Sequence, residues 1–149
     1  MTVIRLAELR DAPLSVQEIS AAVGDQAAGG IAMFVGAVRD HDHGRAVTSL
    51  SYSAHPSAQA ELCRLAEKVA ASFSVRALAV VHRVGDLGVG ELAIVAAVAC
   101  DHRADAFDAC RLLVDELKAT VPIWKHQQFA GGDSEWVASG LSGAQSADG

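Results

Sequence analysis

The stretch Leu92–Cys100, LAIVAAVAC, forms the centre of the predicted fold. Its nine consecutive apolar residues are too few for a membrane span, which needs about 20, and they are typical of a strand buried on both faces. The polar residues Asp101, His102 and Arg103 follow this strand, and an amphipathic helical pattern begins directly after them. We therefore expect a central strand that leads into a helix.

Strand and helix patterns are intermixed along the rest of the chain. Short apolar or alternating runs predict strands at Val3–Leu6, Ile31–Val38, Val47–Ser53, Val75–Val84, Ile123–Phe129 and Glu135–Val137. The last two are expected at sheet edges because Pro122 precedes them. Gly85–Gly90 is expected as a turn and Asp40–Gly44 as a polar loop. Two pairs of successive strands have connections too short for a helical crossover, which favours an α+β fold with a mixed, largely antiparallel sheet.

Three helices are predicted from capping signals and apolar spacing. A capping box at Ser15–Glu18 begins the first helix, and Pro56 with Ser57 begins the second. The second helix carries the apolar stripe Leu62, Leu65, Ala66, Val69, Ala70 and Phe73. The third helix carries Phe107, Cys110, Leu113, Val114 and Leu117 on one face and ends at Pro122.

Length and composition indicate a single domain. The chain has 149 residues, and domains most often contain about 100–150. We expect one catalytic domain over residues 1–138, followed by a disordered tail over 139–149 that is rich in small and polar residues. The N-terminus lacks a signal-peptide pattern, and Cys63, Cys100 and Cys110 are odd in number with no CxxC pair. These features predict reduced thiols and a cytoplasmic location.

The distribution of charge points to an anion site. The formal net charge is −6, which disfavours nonspecific nucleic-acid binding. The chain nevertheless has only three lysines, and two of them, Lys118 and Lys125, flank one short segment around Pro122. Arg39, His102 and Arg103 follow the ends of predicted strands. Such a gathering of cations in loops is suited to binding a phosphate or a carboxylate.

Four motifs resemble those of one known family. They are Phe34–Arg39 (FVGAVR), His82–Gly85 (HRVG) followed by Gly90-Glu91, His102–Phe107 (HRADAF) and Leu117–Lys125 (LKATVPIWK). Their order and spacing are similar to those of the large, catalytic subunit of molybdopterin synthase. The similarity extends from about Gly30 to Val137.

This resemblance implies an α/β-hammerhead fold, a homodimer, and a heterotetramer with two small ubiquitin-like subunits. The partner's C-terminal Gly-Gly tail would carry a thiocarboxylate, and its sulfur would be transferred to cyclic pyranopterin monophosphate to form the dithiolene of molybdopterin. No metal or resident cofactor is implied. The catalytic residues would be Lys118 and Lys125. The substrate contacts would be Ala37, Val38, Arg39, His102, Arg103, Lys118, Lys125, His126 and Gln127.

Three alternatives remain open from the residues themselves. A metal-dependent hydrolase would use His41, His43 and His102, although consecutive donors on a loop do not form the convergent geometry that zinc needs. A persulfide sulfurtransferase would use Cys100. A noncatalytic module would only bind an acidic peptide tail.

Several further residues are predicted to have structural roles. We expect His82 and Arg83 to hold the Gly85–Gly90 turn by hydrogen bonds, and His55 to help begin a helix. Phe34 and Trp124 are expected in the core, and the nearness of Phe34 to Arg39 leaves stacking on a pterin as the alternative for Phe34.

Overall fold

The computed structural model describes residues 2–138, which form nine strands and three helices. The strands are β1 (Ile4–Arg10), β2 (Gly30–Ala37), β3 (His41–Asp42), β4 (Arg45–Ala54), β5 (Val75–Arg83), β6 (Gly85–Gly88), β7 (Leu92–Cys100), β8 (Ile123–Phe129) and β9 (Ser134–Ala138). The helices are α1 (Val16–Ala22), α2 (Ala58–Ser72) and α3 (Arg103–Thr120). The predicted tail at 139–149 lies outside the described residues, so the boundary at 138 stays a prediction.

The first sheet has the strand order β1-β5-β7-β2. Strand β7 pairs antiparallel with β5 on one side and with β2 on the other, so that Val95 lies opposite both Val81 and Val35. Strands β1 and β5 are parallel. Residues 93–100 are all buried, which confirms the prediction of a central strand. Strand β2 lies at the edge of this sheet.

Helices cover both faces of the first sheet. The short helix α1 packs on one face through Ile19 and Val23, and the Ser15 hydroxyl accepts the Glu18 N–H at its start, as the capping box predicts. Helices α2 and α3 pack on the other face. One helix prediction was wrong: Phe107 is 65% exposed instead of joining the apolar face of α3.

The second sheet has the order β3-β4-β8-β9, and β6 also pairs with β4. Two predictions are corrected here. The expected Gly85–Gly90 turn contains β6, whose backbone pairs with residues 49–52 of β4. Strand β8 is not an edge strand, because β4 flanks it on one side and β9 on the other. Pro122 is compatible with this because it precedes the strand.

The expected polar loop at Asp40–Gly44 is a tight hairpin between β3 and β4. Its two turn residues, His43 and Gly44, have φ values of 52° and 77°. Positive φ at both positions is typical of the type I′ turn that matches the twist of paired strands. The hairpin buries the side chain of Asp42, so this segment is not simply a solvated loop.

The described chain thus has the mixed, largely antiparallel α+β fold that the sequence predicts. A small apolar cluster joins the two sheets, and it contains Val38, Leu50, Leu87 and Ala93. None of the helices between residues 2 and 138 is long and apolar enough to cross a membrane.

The start of β2 lies against the start of α3. The backbone N–H of Gly29 donates to the carbonyl oxygens of Cys100 and Asp101. A Cβ atom at Gly29 would collide with the Asp101 carbonyl oxygen, and one at Gly30 would lie 3.1 Å from the Cα atom of Arg103. The two glycines therefore allow the close approach that places His102 and Arg103 beside the first residues of β2.

We predict that Gly29→Ala lowers the free energy of unfolding by about 1–3 kcal/mol, because the new methyl group must displace backbone atoms. Gly24→Ala is the matched control, since a Cβ atom there would lie 3.4 Å from its nearest neighbour, the Ala21 carbonyl oxygen. Urea denaturation of both variants gives the comparison. Equal stabilities would show that the junction between β2 and α3 tolerates a side chain.

Candidate active site

An open cavity lies where the ends of the first sheet meet the second sheet. Strands β2, β3, β4, β5, β7 and β8 contribute to its wall, together with the last turn of α3. The residues that line it are Phe34, Gly36, Ala37, Val38, Arg39, His41, Leu50, Tyr52, His82, Ala93, Ile94, Lys118, Lys125 and Gln127. Among these described lining residues, three are arginine or lysine and none is aspartate or glutamate. The cavity is therefore suited to an anion.

Arg39 enters the cavity directly after β2. The preceding residue, Val38, is fixed by two backbone hydrogen bonds, one to Glu91 and one from Gly90. The Arg39 guanidinium lies 3.2 Å from a carboxylate oxygen of Asp42, which is 4% exposed. The other oxygen of Asp42 accepts a hydrogen bond of 2.8 Å from the Gln127 amide. One buried carboxylate thus orients two cavity residues, Arg39 between β2 and β3 and Gln127 on β8.

Lys118 and Lys125 reach the same cavity from different elements. Lys118 lies in the last turn of α3, where its positive charge is favourable for the helix dipole. Lys125 lies on β8 opposite Tyr52 of β4. Side chains alternate along a strand, so Lys125 and Gln127 share the face that borders the cavity. These lysines and Arg39 are brought together as the sequence predicts.

A neutral histidine and a tyrosine complete the wall behind the lysines. The pKa of His82 is lowered to about 4, chiefly by burial and also by the nearby charge of Lys118, against the opposing effect of a backbone hydrogen bond at Arg83. The ring of Tyr52 meets the ring of His82 edge to face, with centroids 4.9 Å apart. Burial also raises the pKa of Tyr52 to about 12. Both side chains are thus uncharged at neutral pH.

Three predicted substrate contacts lie away from this cavity within one subunit. His102 and Arg103 are exposed at the start of α3, about 22 Å along the helix from Lys118. His126 is on the opposite face of β8, where its ring stacks on Trp136 with centroids 4.2 Å apart. Of the predicted contacts, the cavity contains Ala37, Val38, Arg39, Lys118, Lys125 and Gln127.

Sequence reasoning missed several cavity residues. Tyr52 was predicted only as a residue of a half-buried strand, and Asp42, which contacts the cavity residues Arg39 and Gln127, only as part of a polar loop. Phe34 was expected in the core, but it is 40% exposed and lines the cavity. Trp124 is half-buried beside His55, so its core assignment was only partly right. The FVGAVR motif was the available signal for Phe34, because it places Phe34 on β2 shortly before Arg39.

The structural roles expected for Arg83 and His55 are confirmed. Arg83 donates to Glu91 and to the Asp86 carbonyl oxygen, while Glu91 accepts the Gly88 N–H. These contacts hold the segment between β5 and β7. The His55 ring accepts the Ser57 N–H at 3.0 Å, just before α2. His82 has two roles. Its ring donates a hydrogen bond to the Arg83 carbonyl oxygen, and its side chain also forms part of the cavity wall.

The structure provides no support for the two alternative chemistries. Residues 2–138 contain no group of three or more His, Cys, Asp or Glu side chains placed to bind a metal ion. Cys100 is buried, and burial together with Asp105 and Asp101 raises the pKa of its thiol. A raised pKa disfavours the thiolate that a persulfide mechanism requires.

The fold and the cavity define a class of protein: an α+β domain that gathers cations from three elements around an open site. The family model described as MoaE protein matches residues 9–120. Molybdopterin synthase catalytic subunit 1 from Mycobacterium tuberculosis is 44% identical over 134 residues, which cover 87% of this chain and 88% of that protein. Molybdopterin synthase catalytic subunit from Nostoc is 38% identical over 131 residues, which cover 87% of this chain and 79% of that protein.

A solved structure agrees with these relatives. The X-ray structure of molybdopterin synthase from Staphylococcus aureus superposes with a TM-score of 0.80 at 27% identity, covering 87% of this chain and 94% of that one. The chain belongs to the MoaE family, whose relatives here are molybdopterin synthase catalytic subunits, enzymes of molybdenum cofactor biosynthesis. The resemblance carried by the four sequence motifs is confirmed.

The neutral state of His82 predicts a pH dependence of stability. Between pH 6.5 and about 4 the unfolded chain binds a proton on this imidazole that the native ring does not bind. The free energy of unfolding should therefore decrease as the pH falls through this window. His82→Gln should reduce the slope relative to the wild type. Identical slopes for the wild type and His82→Gln would mean that His82 is protonated in the native protein.

Proposed function

We propose that this chain transfers sulfur from the C-terminal thiocarboxylate of a small ubiquitin-like subunit to cyclic pyranopterin monophosphate. The product is the dithiolene of molybdopterin. Each transfer consumes one thiocarboxylate and returns one carboxylate. Because a dithiolene contains two sulfur atoms, two thiocarboxylated tails are used for each product. The observation that carries this proposal is the convergence of Arg39, Lys118 and Lys125 on one cavity.

The charge of the cavity matches both reactants. A cyclic phosphate and a thiocarboxylate are anions, and three neighbouring cations that repel one another favour their joint binding. The Arg39 guanidinium offers several fixed donors for a phosphate, and its contact with Asp42 orients it. The Arg39 side chain is 57% exposed, so this end of the cavity is open to an entering molecule. Gln127 adds a neutral polar contact.

Lys118 and Lys125 form the catalytic pair in this proposal. A thiocarboxylate that reacts at its sulfur must later lose its acyl group, and negative charge develops on the carbonyl oxygen when water attacks. An ammonium group held beside that oxygen stabilises the charge. The Gly-Gly end of the partner tail has no side chains, which lets its backbone approach the two lysines closely.

An apolar sheet edge beside the cavity supports the homodimer. Strand β2 is an edge strand, and Ile31 and Val35 are 50% and 41% exposed along it. Phe107 is exposed on α3, the helix that packs against β2. Unpaired backbone groups next to apolar side chains favour pairing with another chain. In the proposed homodimer, a second copy of this chain covers this edge.

A two-fold pairing across this edge would also account for the distant residues His102 and Arg103. Antiparallel pairing of two β2 strands places the start of one strand beside the end of the other. Arg103 lies against Gly30 at the start of β2, and Arg39 follows its end. The second subunit would therefore bring its His102 and Arg103 towards the cavity of the first. The site would be complete only in the dimer.

A cytoplasmic location belongs to the same proposal. Cys63, Cys100 and Cys110 are all free thiols, which fits a reducing compartment.

We predict that Lys118→Ala and Lys125→Ala each reduce turnover by about 10²–10³-fold, which is typical for loss of one donor to a developing negative charge. Both side chains line the open cavity instead of forming part of an apolar cluster, so the melting temperatures should change little. Molybdopterin formation from a thiocarboxylated small subunit and the cyclic pterin provides the assay. Near-normal turnover in both variants would exclude the lysines from the reaction.

Two further variants separate this mechanism from its rivals. Lys68 lies on α2 and pairs with Glu116 at the surface, so Lys68→Ala should have wild-type turnover. Cys100→Ala should also remain active, since the sulfur comes from the partner. Loss of turnover in a folded Cys100→Ala protein would favour the persulfide mechanism.

Mixed dimers test whether Arg103 acts on the cavity of the other subunit. Arg103→Ala and Lys118→Ala should each have low activity alone. Their co-expression should restore about a quarter of the wild-type rate, because half of the dimers are mixed and each mixed dimer has one complete site. No recovery, with mixed dimers verified by mass spectrometry, would place Arg103 outside the partner's site.

A further inference from the structure

His82 is a buried ionisable residue in the cavity wall that the proposed reaction leaves unused. It is 5% exposed and lies at the end of β5. Its side chain shares the cavity with Arg39, Lys118 and Lys125. Burying an imidazole costs free energy unless its polar atoms have hydrogen-bond partners. The partner of each ring nitrogen must therefore be identified.

The hydrogen bonding of the ring assigns its tautomer. The Nδ1 atom of His82 lies 2.7 Å from the Arg83 carbonyl oxygen, and a carbonyl oxygen can only accept. Nδ1 therefore carries the proton, and Nε2 of the neutral ring is left with a lone pair. The edge-to-face contact with Tyr52 restricts rotation of the ring.

Three cationic side chains share the cavity with His82. Lys118 comes from α3, Lys125 from β8 and Arg39 from the end of β2, while His41 lines the cavity from β3. The strand neighbours of His82 are apolar, Leu9 on β1 and Ile94 on β7. The Lys118 charge is close enough to lower the pKa of His82. Burial chiefly, together with this charge, keeps the ring neutral.

We propose that His82 is a positioning residue for Lys118, and that its unprotonated Nε2 accepts a hydrogen bond from the Lys118 ammonium group. A carboxylate in this place would orient the lysine but would also cancel its charge. A neutral imidazole orients the ammonium group and leaves its charge available for an anion. The catalytic part of this inference rests on the proposed function of Lys118.

Two substitutions of His82 distinguish the roles of its two ring nitrogens. His82→Gln keeps an acceptor near the position of Nε2, whereas His82→Asn keeps only a donor near Nδ1. We expect His82→Asn to lower kcat by about 10–100-fold with little change in KM, as for loss of a hydrogen bond to a charged group. His82→Gln should retain most of the wild-type kcat. Equal losses or equal retention in the two folded variants would overturn the proposal.

A second measurement does not depend on turnover. Nitrogen-15 NMR of the wild-type chain should show a neutral His82 ring with the proton on Nδ1 throughout the neutral pH range. Lys118→Met should shift the Nε2 resonance and raise the pKa of His82, because it removes both the donor and the neighbouring charge. Lys68→Met is the matched control and should change neither.

The two measurements distinguish the two hypotheses. Unchanged His82 signals in Lys118→Met would overturn the pairing, whatever the activity. The expected NMR changes in a chain that forms no molybdopterin would leave the pairing intact and contradict the proposed function alone.

Discussion

The pairing of β7 is the constraint on which the rest of the structure depends. Its side chains are apolar and buried, so water cannot satisfy its backbone N–H and C=O groups, and neighbouring strands must do so. Strands β5 and β2 fill these positions. Because both run antiparallel to β7, their carboxyl ends lie beside its first residues, and helix α3 returns along the sheet to the same end. His82, Arg39 and Lys118 therefore meet at one end of the first sheet.

The second sheet completes the cavity at this end of the first sheet. Strand β8 adds Lys125 and Gln127 from the facing side, and the buried Asp42 couples Gln127 to Arg39. An acidic chain thereby builds a local excess of positive charge in a cavity whose described lining contains no carboxylate. His82 and Tyr52 add polar atoms without charge, because burial shifts the pKa of each residue away from ionisation at neutral pH.

Sequence patterns predicted those elements whose signals are local. The apolar run of β7, the capping box of α1 and the stripe on α2 each indicated the correct element, and four motifs identified the family. The burial of Asp42 depends on a hairpin folding onto β8, which lies more than 80 residues away in sequence, and no local pattern records that contact. Phe107 fits the helical period of the core residues of α3 but is exposed. Periodicity does not show how far the neighbouring elements cover a helix. Likewise, the sequence did not show which face of β8 carries His126, because the strands that pair with β8 were not known.

The most direct test combines the purified chain with a thiocarboxylated small subunit and cyclic pyranopterin monophosphate, and measures molybdopterin. The account predicts that molybdopterin forms only when all three are present, with two thiocarboxylates consumed for each product, and that a chain lacking both Lys118 and Lys125 forms almost none. Product formation at the wild-type rate by that double variant, or no product from a wild-type chain that binds both reactants, would contradict it.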